Sequence, residues 1–396
     1  MEFTKKQEEA IKLVKDRYLN KEKYTVISGY AGTGKSTIVH AIIESIPKID
    51  PDKDVVFTSF TGKAVNVLKQ KGNKNVSTLH RLLFEYHLTP DGDFIRYPAP
   101  FIPYKIVVVD EVSMVSNDLI DALFSYNIYV IFLGDPGQLP PIDKQKGNFL
   151  LSQPHVFFDQ VMRQAAESEI IRYTMKIRNG ETLPYGIGTD TMVLPANTIS
   201  KEMLFWADII LCGTNNTRYG LNKLMRQYKE IDPNVLVAEG EKLICLQNYW
   251  DCIGRPGHVP LINGSIGYAK NVSLDTISVP GFIGVKNNEI PIVSAKFVSE
   301  LNENFGTLNM DRVPFSKNES YLSQQQIGTL FRRKRYKKLI PKNFSYGYAI
   351  TTHKAQGSQW GNVVIFEENF PFDRQEHIKW LYTAMTRAES KVVLLR

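Results

Sequence analysis

Two short runs carry residue types and spacings that could do chemistry. Near the start, Gly29-Tyr30-Ala31-Gly32-Thr33-Gly34-Lys35-Ser36 fits the pattern G-x-x-x-x-G-K-[ST]. Glycines at those places let the backbone curl until successive N–H groups and a helix N-terminus point at phosphate oxygens. Lys35 would then reach the β- and γ-phosphates of ATP, and the Ser36 hydroxyl would ligate Mg2+. Gly29, Ala31, Gly32, Thr33, Gly34 and Thr37 complete the cradle. Further along, Ile106-Val107-Val108-Val109-Asp110-Glu111 ends an apolar run in two carboxylates. A buried parallel strand delivers such groups at its C-terminal end, where open α/β sheets bind ligands. Asp110 is placed to hold Mg2+, directly or through water. Glu111 is placed to orient and deprotonate an attacking water, so hydrolysis is expected. A Gly-rich turn that fits by accident and an acidic strand end kept for solubility are the plain alternatives. The strand–loop–helix context and the order of the two runs favour the chemistry.

These groups work only if a sheet holds them together. Residues 8–19 place Ile11, Val14, Tyr18 and Leu19 at helical spacing. Tyr24-Thr25-Val26-Ile27-Ser28 reads as a buried strand and the run from Lys35 to Ile46 as a helix. Strand-like runs recur at Val55-Val56-Phe57, at Ile106 to Val109 and at Tyr129-Val130-Ile131-Phe132-Leu133, with helical patterns from Lys63 to Lys69 and from Asp118 to Phe124. Such alternation predicts an α/β fold with a parallel sheet covered on both faces. Two segments interrupt it. Residues 84–105 carry Pro90-Asp91-Gly92 between Phe84 to Leu88 and Phe94 to Tyr97, which predicts an inserted hairpin. Residues 247–339 turn to short strands with turns at Asn263-Gly264, Pro280-Gly281 and Asn287-Asn288, which predicts a small all-β module. Strand-like runs return at Tyr346 to Ile350, Val363 to Phe366 and Val392 to Leu395. The expected plan is one α/β domain over 1–162 and a second assembled from 163–246 and 340–396 around the β insert.

Of the 396 residues 43% are apolar and 22% charged, a globular composition that excludes disorder and low-complexity architectures. Lys plus Arg number 48 against 41 for Asp plus Glu, and the resulting net charge of +7 favours a polyanionic partner. The 3 cysteines, Cys212, Cys245 and Cys252, are odd in number and lack metal-ligand spacing, which points to a reducing compartment and excludes a disulfide scaffold. No apolar run follows the first residues, and no stretch reaches the roughly 18 apolar residues of a membrane span. A cytoplasmic protein of a bacterial cell or phage-infected host, with no membrane partner, is the expectation.

Further motifs narrow the class. Gly134-Asp135-Pro136-Gly137-Gln138-Leu139-Pro140-Pro141 closes the fourth strand-like run. Phe57-Thr58-Ser59-Phe60-Thr61-Gly62-Lys63-Ala64 and Ser77-Thr78-Leu79-His80-Arg81-Leu82-Leu83 lie between the P-loop and Asp110. Thr352-His353-Lys354-Ala355-Gln356-Gly357-Ser358 and Tyr382-Thr383-Ala384-Met385-Thr386-Arg387-Ala388 stand near the C-terminus. In this order they resemble motifs III, Ia, Ib, V and VI of superfamily-1 DNA helicases, and the set is most similar to the 5′→3′ (B) group of Dda-like and RecD-like helicases. The resemblance covers both α/β domains, whereas the hairpin and β insert match by position only. It implies two RecA-like parallel-sheet domains, a hairpin pin and a small SH3-like all-β domain. It further implies a monomeric ATP-driven helicase that translocates on single-stranded DNA and unwinds duplex in replication, recombination or repair. Single strands and their junctions with duplex are the implied partners, and a single-strand-binding or replisome protein is a candidate.

The same resemblance assigns roles. Gln7 would pair with adenine, Gly357 would join the nucleotide group, and Gln138 would sense the γ-phosphate. Arg163 and Arg387 would reach that phosphate from the second domain, stabilising transition-state charge and making domain closure depend on ATP. Gln7 could equally be a solvated helix-start residue, and each arginine an ordinary ion-pair partner. Thr61, Lys63, His80, Thr352 and His353 would line a single-strand channel, where short hydroxyl and basic side chains fix register on phosphates without reading sequence. His80 could instead be a satisfied core residue. Phe60, where relatives often carry Pro, either stacks on a base or fills the core. Phe94, near the hairpin tip, either wedges against the first base pair or packs within the hairpin. Asn215, Asn216, Asn222 and Arg226 echo a family stretch without an assigned role. The basic run from Arg332 to Lys338 reads as a solvated edge, an import signal or extra phosphate contacts. Competing readings are a RecD-like subunit of a recombination nuclease and a DNA-dependent ATPase or switch that does not unwind. The former usually carries a domain before the P-loop, whereas here 28 residues precede Gly29. Glu111 and Arg387 argue against the latter.

Overall fold

The structure, a computed structural model, describes residues 3–88, 94–140, 149–162, 167–256, 259–368 and 373–396. The chain gathers into two compact units. One comprises Met1–Glu85, Pro98–Thr198 and Ala355–Arg396, the other Tyr86–Tyr97 and Ile199–Lys354.

A six-stranded sheet organises the first unit. Its strands are β1 (Tyr24–Gly29), β2 (Val55–Ser59), β3 (Val76–Thr78), β4 (Ile106–Asp110), β5 (Tyr129–Gly134) and β6 (Val156–Phe158), in the spatial order β3-β2-β4-β5-β1-β6. Every pairing is parallel. The strands read as continuous apolar runs because both faces are covered and successive side chains go to opposite faces. Ile27, Phe57, Val108 and Ile131 pack on one side with Ala10 and Val14 of α1 (Lys5–Leu19), Ile42 and Ile43 of α2 (Val39–Ser45) and Leu68 of α3 (Gly62–Gln70). Val26, Val56, Val107, Val130 and Phe132 pack on the other with Leu119, Ile120 and Leu123 of α4 (Asn117–Phe124). Since β4, β5 and β1 are neighbours, the P-loop, Asp110 and Asp135 all leave the sheet at one edge of its centre.

One boundary moves in a place that matters. The regular helix after the P-loop begins at Val39, not Lys35, and residues 35–38 form turns in which Thr37 N–H donates to Gly34 O at 3.2 Å. Ser36, Thr37, Ile38 and Val39 are hydroxyl-bearing or β-branched residues, poor formers of a helical first turn.

The same unit holds three parallel strands, Thr191–Leu194, Trp360–Phe366 and Ala388–Leu395, with Gly186–Ile187 antiparallel to the first of them. Helix α5 (Arg374–Met385) connects Trp360–Phe366 to Ala388–Leu395 and buries Trp380 fully. Its N-cap is Asp373, whose carboxylate accepts from Glu376 N–H.

The second unit contains a parallel pair, Ile209–Cys212 with Ala349–Thr351, and the helix Asn215–Tyr228. It also contains a five-stranded antiparallel sheet in the order Asn304–Asp311, Glu289–Ser299, Ile266–Ser278, Lys242–Cys245, Phe344–Tyr346. That sheet therefore takes in strands on either side of 247–339. The run Tyr346 to Ile350, expected as one strand, is two. Gly347 N–H donates to Lys242 O and closes the antiparallel strand, and the parallel strand starts at Ala349. An apolar pattern shows burial but not which sheet supplies the partner.

Phe84–Leu88 and Phe94–Pro98 pair as the expected hairpin. Its base is closed by Ala99 N–H on Leu83 O at 2.8 Å and by Tyr126 Oη donating to Ala99 O at 2.7 Å. The expected turn at Pro90-Asp91-Gly92 and the side chain of Phe94 lie outside the described residues.

Candidate functional site

The P-loop leaves β1 at Gly29 and is braced from within. Thr33 Oγ1 donates to Tyr30 O at 2.7 Å, and Met162 N–H donates to Gly32 O at 3.0 Å. Lys35 Nζ donates to Gly29 O at 2.6 Å and Tyr30 O at 2.8 Å, while Ser36 and Thr37 are exposed. Gly34 has φ of +80°, and a Cβ there would stand 2.8 Å from Gln7 Nε2. Gln7 is buried, contrary to the solvated alternative. It forms a capping box with Thr4, its N–H donating to Thr4 Oγ1 at 3.3 Å and its Oε1 accepting from Thr4 N–H at 3.0 Å. The amide thus sits beside the loop, with its oxygen engaged at the start of α1.

Asp110 Oδ1 accepts from Glu111 N–H at 2.9 Å, and Ser59 Oγ donates to Asp110 O at 3.3 Å. Glu111 is left-handed, with φ of 56° and ψ of 45°. A non-glycine residue held there costs on the order of 1 kcal/mol, strain of the kind that clusters at functional sites. Burial, reinforced by the Glu111 charge, pushes the Asp110 carboxyl up to about 6. Burial also pushes Asp135 up, with Lys35 opposing the shift and Glu111 adding to it. Lys35, Asp110, Glu111 and Asp135 therefore share one electrostatic environment. Buried carboxyls whose proton affinity a neighbouring carboxylate raises suit a divalent cation, and the exposed Ser36 hydroxyl can supply another oxygen. Among the described residues no three His, Cys, Asp or Glu side chains converge on a metal site. Mg2+ needs no such cage, since it binds through one or two carboxylates plus substrate phosphates.

A residue that the motif reading did not single out joins the parts. Tyr382 Oη, on α5, accepts from Ala31 N–H at 2.9 Å and donates to Asp135 Oδ2 at 2.8 Å. Asp135 Oδ1 accepts from Gly137 N–H at 2.9 Å. Next along α5, Thr383 Oγ1 accepts from Leu139 N–H at 2.9 Å, and Gln356 Nε2 donates to Leu139 O at 3.0 Å. P-loop, Asp135 loop and C-terminal motifs are thereby fastened inside one unit. The available sequence signal was weak: a phenol on a buried helix, whose hydroxyl needs a partner. Gln138 is buried, and its Oε1 has no donor among the described residues. Arg387 is also buried, with Nε on Thr383 O at 3.0 Å, Nη1 on Ser358 O at 3.2 Å and Nη2 on Thr386 Oγ1 at 2.9 Å. Its guanidinium is engaged within its own segment, and that segment lies in the same compact unit as the P-loop. Arg163 lies outside the described residues.

The residues expected along a DNA channel divide into three kinds. Thr61 caps α3, Oγ1 accepting from Ala64 N–H at 3.2 Å. Gly357 packs on that cap rather than on the P-loop. Its φ is +74°, and a Cβ would stand 2.9 Å from both Thr61 Oγ1 and Ala64 Cβ. Lys63 Nζ lies 4.2 Å above the Trp360 ring. His80 meets Phe60 edge-on at 5.3 Å, and Phe60 itself packs against the core beneath the sheet.

In the second unit Thr352 is fully buried, its Oγ1 donating to Cys212 O at 3.3 Å, so the hydroxyl is engaged inside the fold rather than presented to a strand. His353 is half-buried, and burial pushes its imidazole down. Asn222 explains part of the unassigned stretch. Its Oδ1 accepts from Tyr348 and Ala349 N–H at 3.1 and 3.0 Å, and its Nδ2 donates to Arg218 O and Ala349 O at 2.8 and 2.9 Å, fastening helix to strand. Arg226 pairs with Glu241 at 2.7 Å.

Residues 2–189 match the family model of the AAA domain, and residues 346–395 match that of the UvrD-like helicase C-terminal domain. The ATP-dependent RecD2 DNA helicase of Deinococcus radiodurans is 29% identical over 395 residues, covering 93% of this chain and 46% of that protein. The ATP-dependent DNA helicase dda of Enterobacteria phage T4 is 25% identical over 191 residues, covering 46% of this chain and 43% of the phage protein. The chain is thus similar, over both its N-terminal and C-terminal parts, to superfamily-1 helicases of the Dda and RecD type. The match spans about half the length of each of these two curated relatives. The fold of the chain is similar to that of the Pif1 helicase from Bacteroides in complex with ADP-AlF3 and ssDNA, with a TM-score of 0.56 at 17% identity, covering 100% of this chain and 92% of that one.

One half-buried cation of the second unit gives a stability test. Burial, with Arg218 adding to it, pushes the Lys354 ammonium from 10.5 down to about 8. The fold therefore opposes its charge, at a cost present below pH 8 that fades as pH rises toward 10.5. Lys354→Met is expected to raise Tm by a few degrees at neutral pH and by nothing near pH 10.5. Thermal unfolding at the two pH values checks this, and a lower Tm at neutral pH would refute it.

Proposed function

We propose that this chain is a helicase, an ATP-driven motor that moves 5′→3′ along single-stranded DNA and parts the duplex ahead of it. The observation that supports this most is the pair of hydrogen bonds at Tyr382 Oη, which accepts from Ala31 N–H of the P-loop and donates to Asp135. A hydrolysis site fastened in this way to α5 passes a change at the phosphates to the segment that carries Arg387 and that seats Gly357 on α3. In this reading the loop amides and Lys35 hold the phosphates. Ser36 and Asp110 hold Mg2+, which when bound neutralises phosphate oxygens as a Lewis acid. Glu111 orients and deprotonates the attacking water, and Gln138, whose buried oxygen has no donor among the described residues, senses the γ-phosphate. Arg387 turns from its backbone acceptors to the charge that develops on the γ-phosphate, and Arg163 serves beside it.

Thr61, Lys63, His80 and His353 contact DNA phosphates, and Phe94 on the hairpin obstructs the complementary strand. DNA as the track is supported by the relatives, two of which are named DNA helicases and one of which was solved with ssDNA. Unwinding of 5′- and 3′-tailed duplexes, made in DNA and in RNA, tests the proposal. ATP-dependent displacement from the 5′-tailed DNA duplex is expected. Activity on the 3′-tailed form alone would reverse the direction, and DNA-stimulated hydrolysis without displacement would leave a non-unwinding ATPase.

A further inference from the structure

The second unit holds a cavity of about 410 Å3 that the hydrolysis site does not use. Small-ligand sites span about 300–1,000 Å3, so the volume suits a single small occupant. Its walls include Tyr249, Trp250 and Phe331, and its rim includes Asp251, Lys337 and Lys342. Tyr249 is fixed in place because its hydroxyl accepts from Asn343 N–H at 2.6 Å. Lys342 Nζ lies 4.3 Å above the Tyr249 ring, and Lys337 Nζ lies 5.0 Å from the Phe331 ring and 3.2 Å from Asp251 Oδ2. Trp250 is 41% exposed. Lys337 also belongs to the basic run from Arg332 to Lys338, for which the nucleotide site gave no role.

Two groups near the cavity feel its lysines. Burial pushes the Cys245 thiol up to about 12, and both Lys354 and Lys342 are near enough to act against that shift. Burial likewise pushes the Asp251 carboxyl up, yet Lys337 and Lys342 bring it below its ordinary value. Lys342 and Lys337 thus stand at the cavity, Lys337 against Asp251 and Lys342 against Tyr249. The other carboxylate of the lining, Asp311, is engaged, its two oxygens accepting from Val313 and Tyr321 N–H at 2.9 and 2.7 Å. Aromatic walls accept any base face, and a cationic rim accepts phosphate. That combination is what sequence-tolerant single-strand sites use.

We propose that the cavity holds one nucleotide of a single strand, with its base against Trp250 and Phe331 and its phosphate on Lys337 and Lys342. This rests on the reading that the chain binds single-stranded DNA, and the test separates the two. Oligothymidylate carrying 5-iodouracil at successive positions is photocrosslinked to the full chain, and the crosslinked peptides are mapped. One position is expected to crosslink within residues 247–251 or at Phe331. Trp250→Ala and Lys337→Glu, both at solvent-reachable positions, should each weaken oligothymidylate binding about tenfold, with DNA-free ATP hydrolysis and Tm unchanged. Crosslinks confined to other segments, with unaltered affinity in both variants and intact DNA stimulation of hydrolysis, would overturn the nucleotide pocket and leave the motor standing. Variant-sensitive capture of an acidic peptide without any crosslink would also overturn it. No response of the unaltered chain to oligothymidylate would overturn the motor reading beneath it.

Discussion

Lys35→Ala should lower ATP turnover at least about a hundredfold, the order of loss seen when one preorganised charge-stabilising donor is removed. In the proposed mechanism the side chain meets the γ-phosphate, where charge builds during transfer, and an alanine offers nothing in its place. Folding should survive. Lys35 is half-buried and contributes two hydrogen bonds, to Gly29 O and Tyr30 O, at a solvent-reachable loop rather than in the core. Their loss is worth about 1–3 kcal/mol. Phosphate release in the presence of oligothymidylate, read beside thermal unfolding, distinguishes the two effects. Turnover near that of the unaltered chain would remove the P-loop from the mechanism.

Arg387→Ala should lose more, on the order of a thousandfold in turnover, because an arginine aimed at the transferring phosphoryl group stabilises the transition state selectively. ATP affinity should change little, since the gain is absent in the ground state. Here the structure adds a complication. The guanidinium is buried and donates to Thr383 O, Ser358 O and Thr386 Oγ1, so its removal also strips three charge-assisted bonds from the fold. Arg387→Lys keeps the charge and part of that bonding but lacks the planar fork. It should retain most of the thermal stability and still lose turnover. If turnover in both variants fell only in proportion to the folded fraction, Arg387 would be a structural residue and the transition-state role would pass elsewhere.

What was legible in the sequence was local. The P-loop and Asp110-Glu111 could be read because spacing along a few residues dictates what the backbone presents, and the strands β1, β2, β4 and β5 because burial on both faces leaves continuous apolar runs. What was not legible depended on partners distant in the chain. Tyr382 and Ala31 are 351 positions apart, and no local pattern marks a phenol that will accept from a loop amide. Gln7 read either as an adenine partner or as a solvated residue at a helix start, and the capping box with Thr4 and the closeness of Gly34 bury it beside the loop. Asn222 resembled a motif residue, while its four hydrogen bonds show a fastening between helix and strand. The start of α2 was misplaced because the P-loop pattern suggested a helix where β-branched residues resist one.

The join between the antiparallel sheet and the parallel strand has a mechanical meaning. Gly347 and Tyr348 alone separate Phe344–Tyr346 from Ala349–Thr351. Two residues reach at most about 7 Å, and neither has slack to give. Gly347 N–H is held by Lys242 O, and Tyr348 N–H by Asn222 Oδ1. The antiparallel sheet is therefore a stiff outrigger rather than a weight on a string. A load applied to it, as in a force-clamp measurement, passes into the strand that leads to Thr352 without first taking up play. Its compliance is that of paired strands, so force on the sheet and strain at the His353 segment rise together.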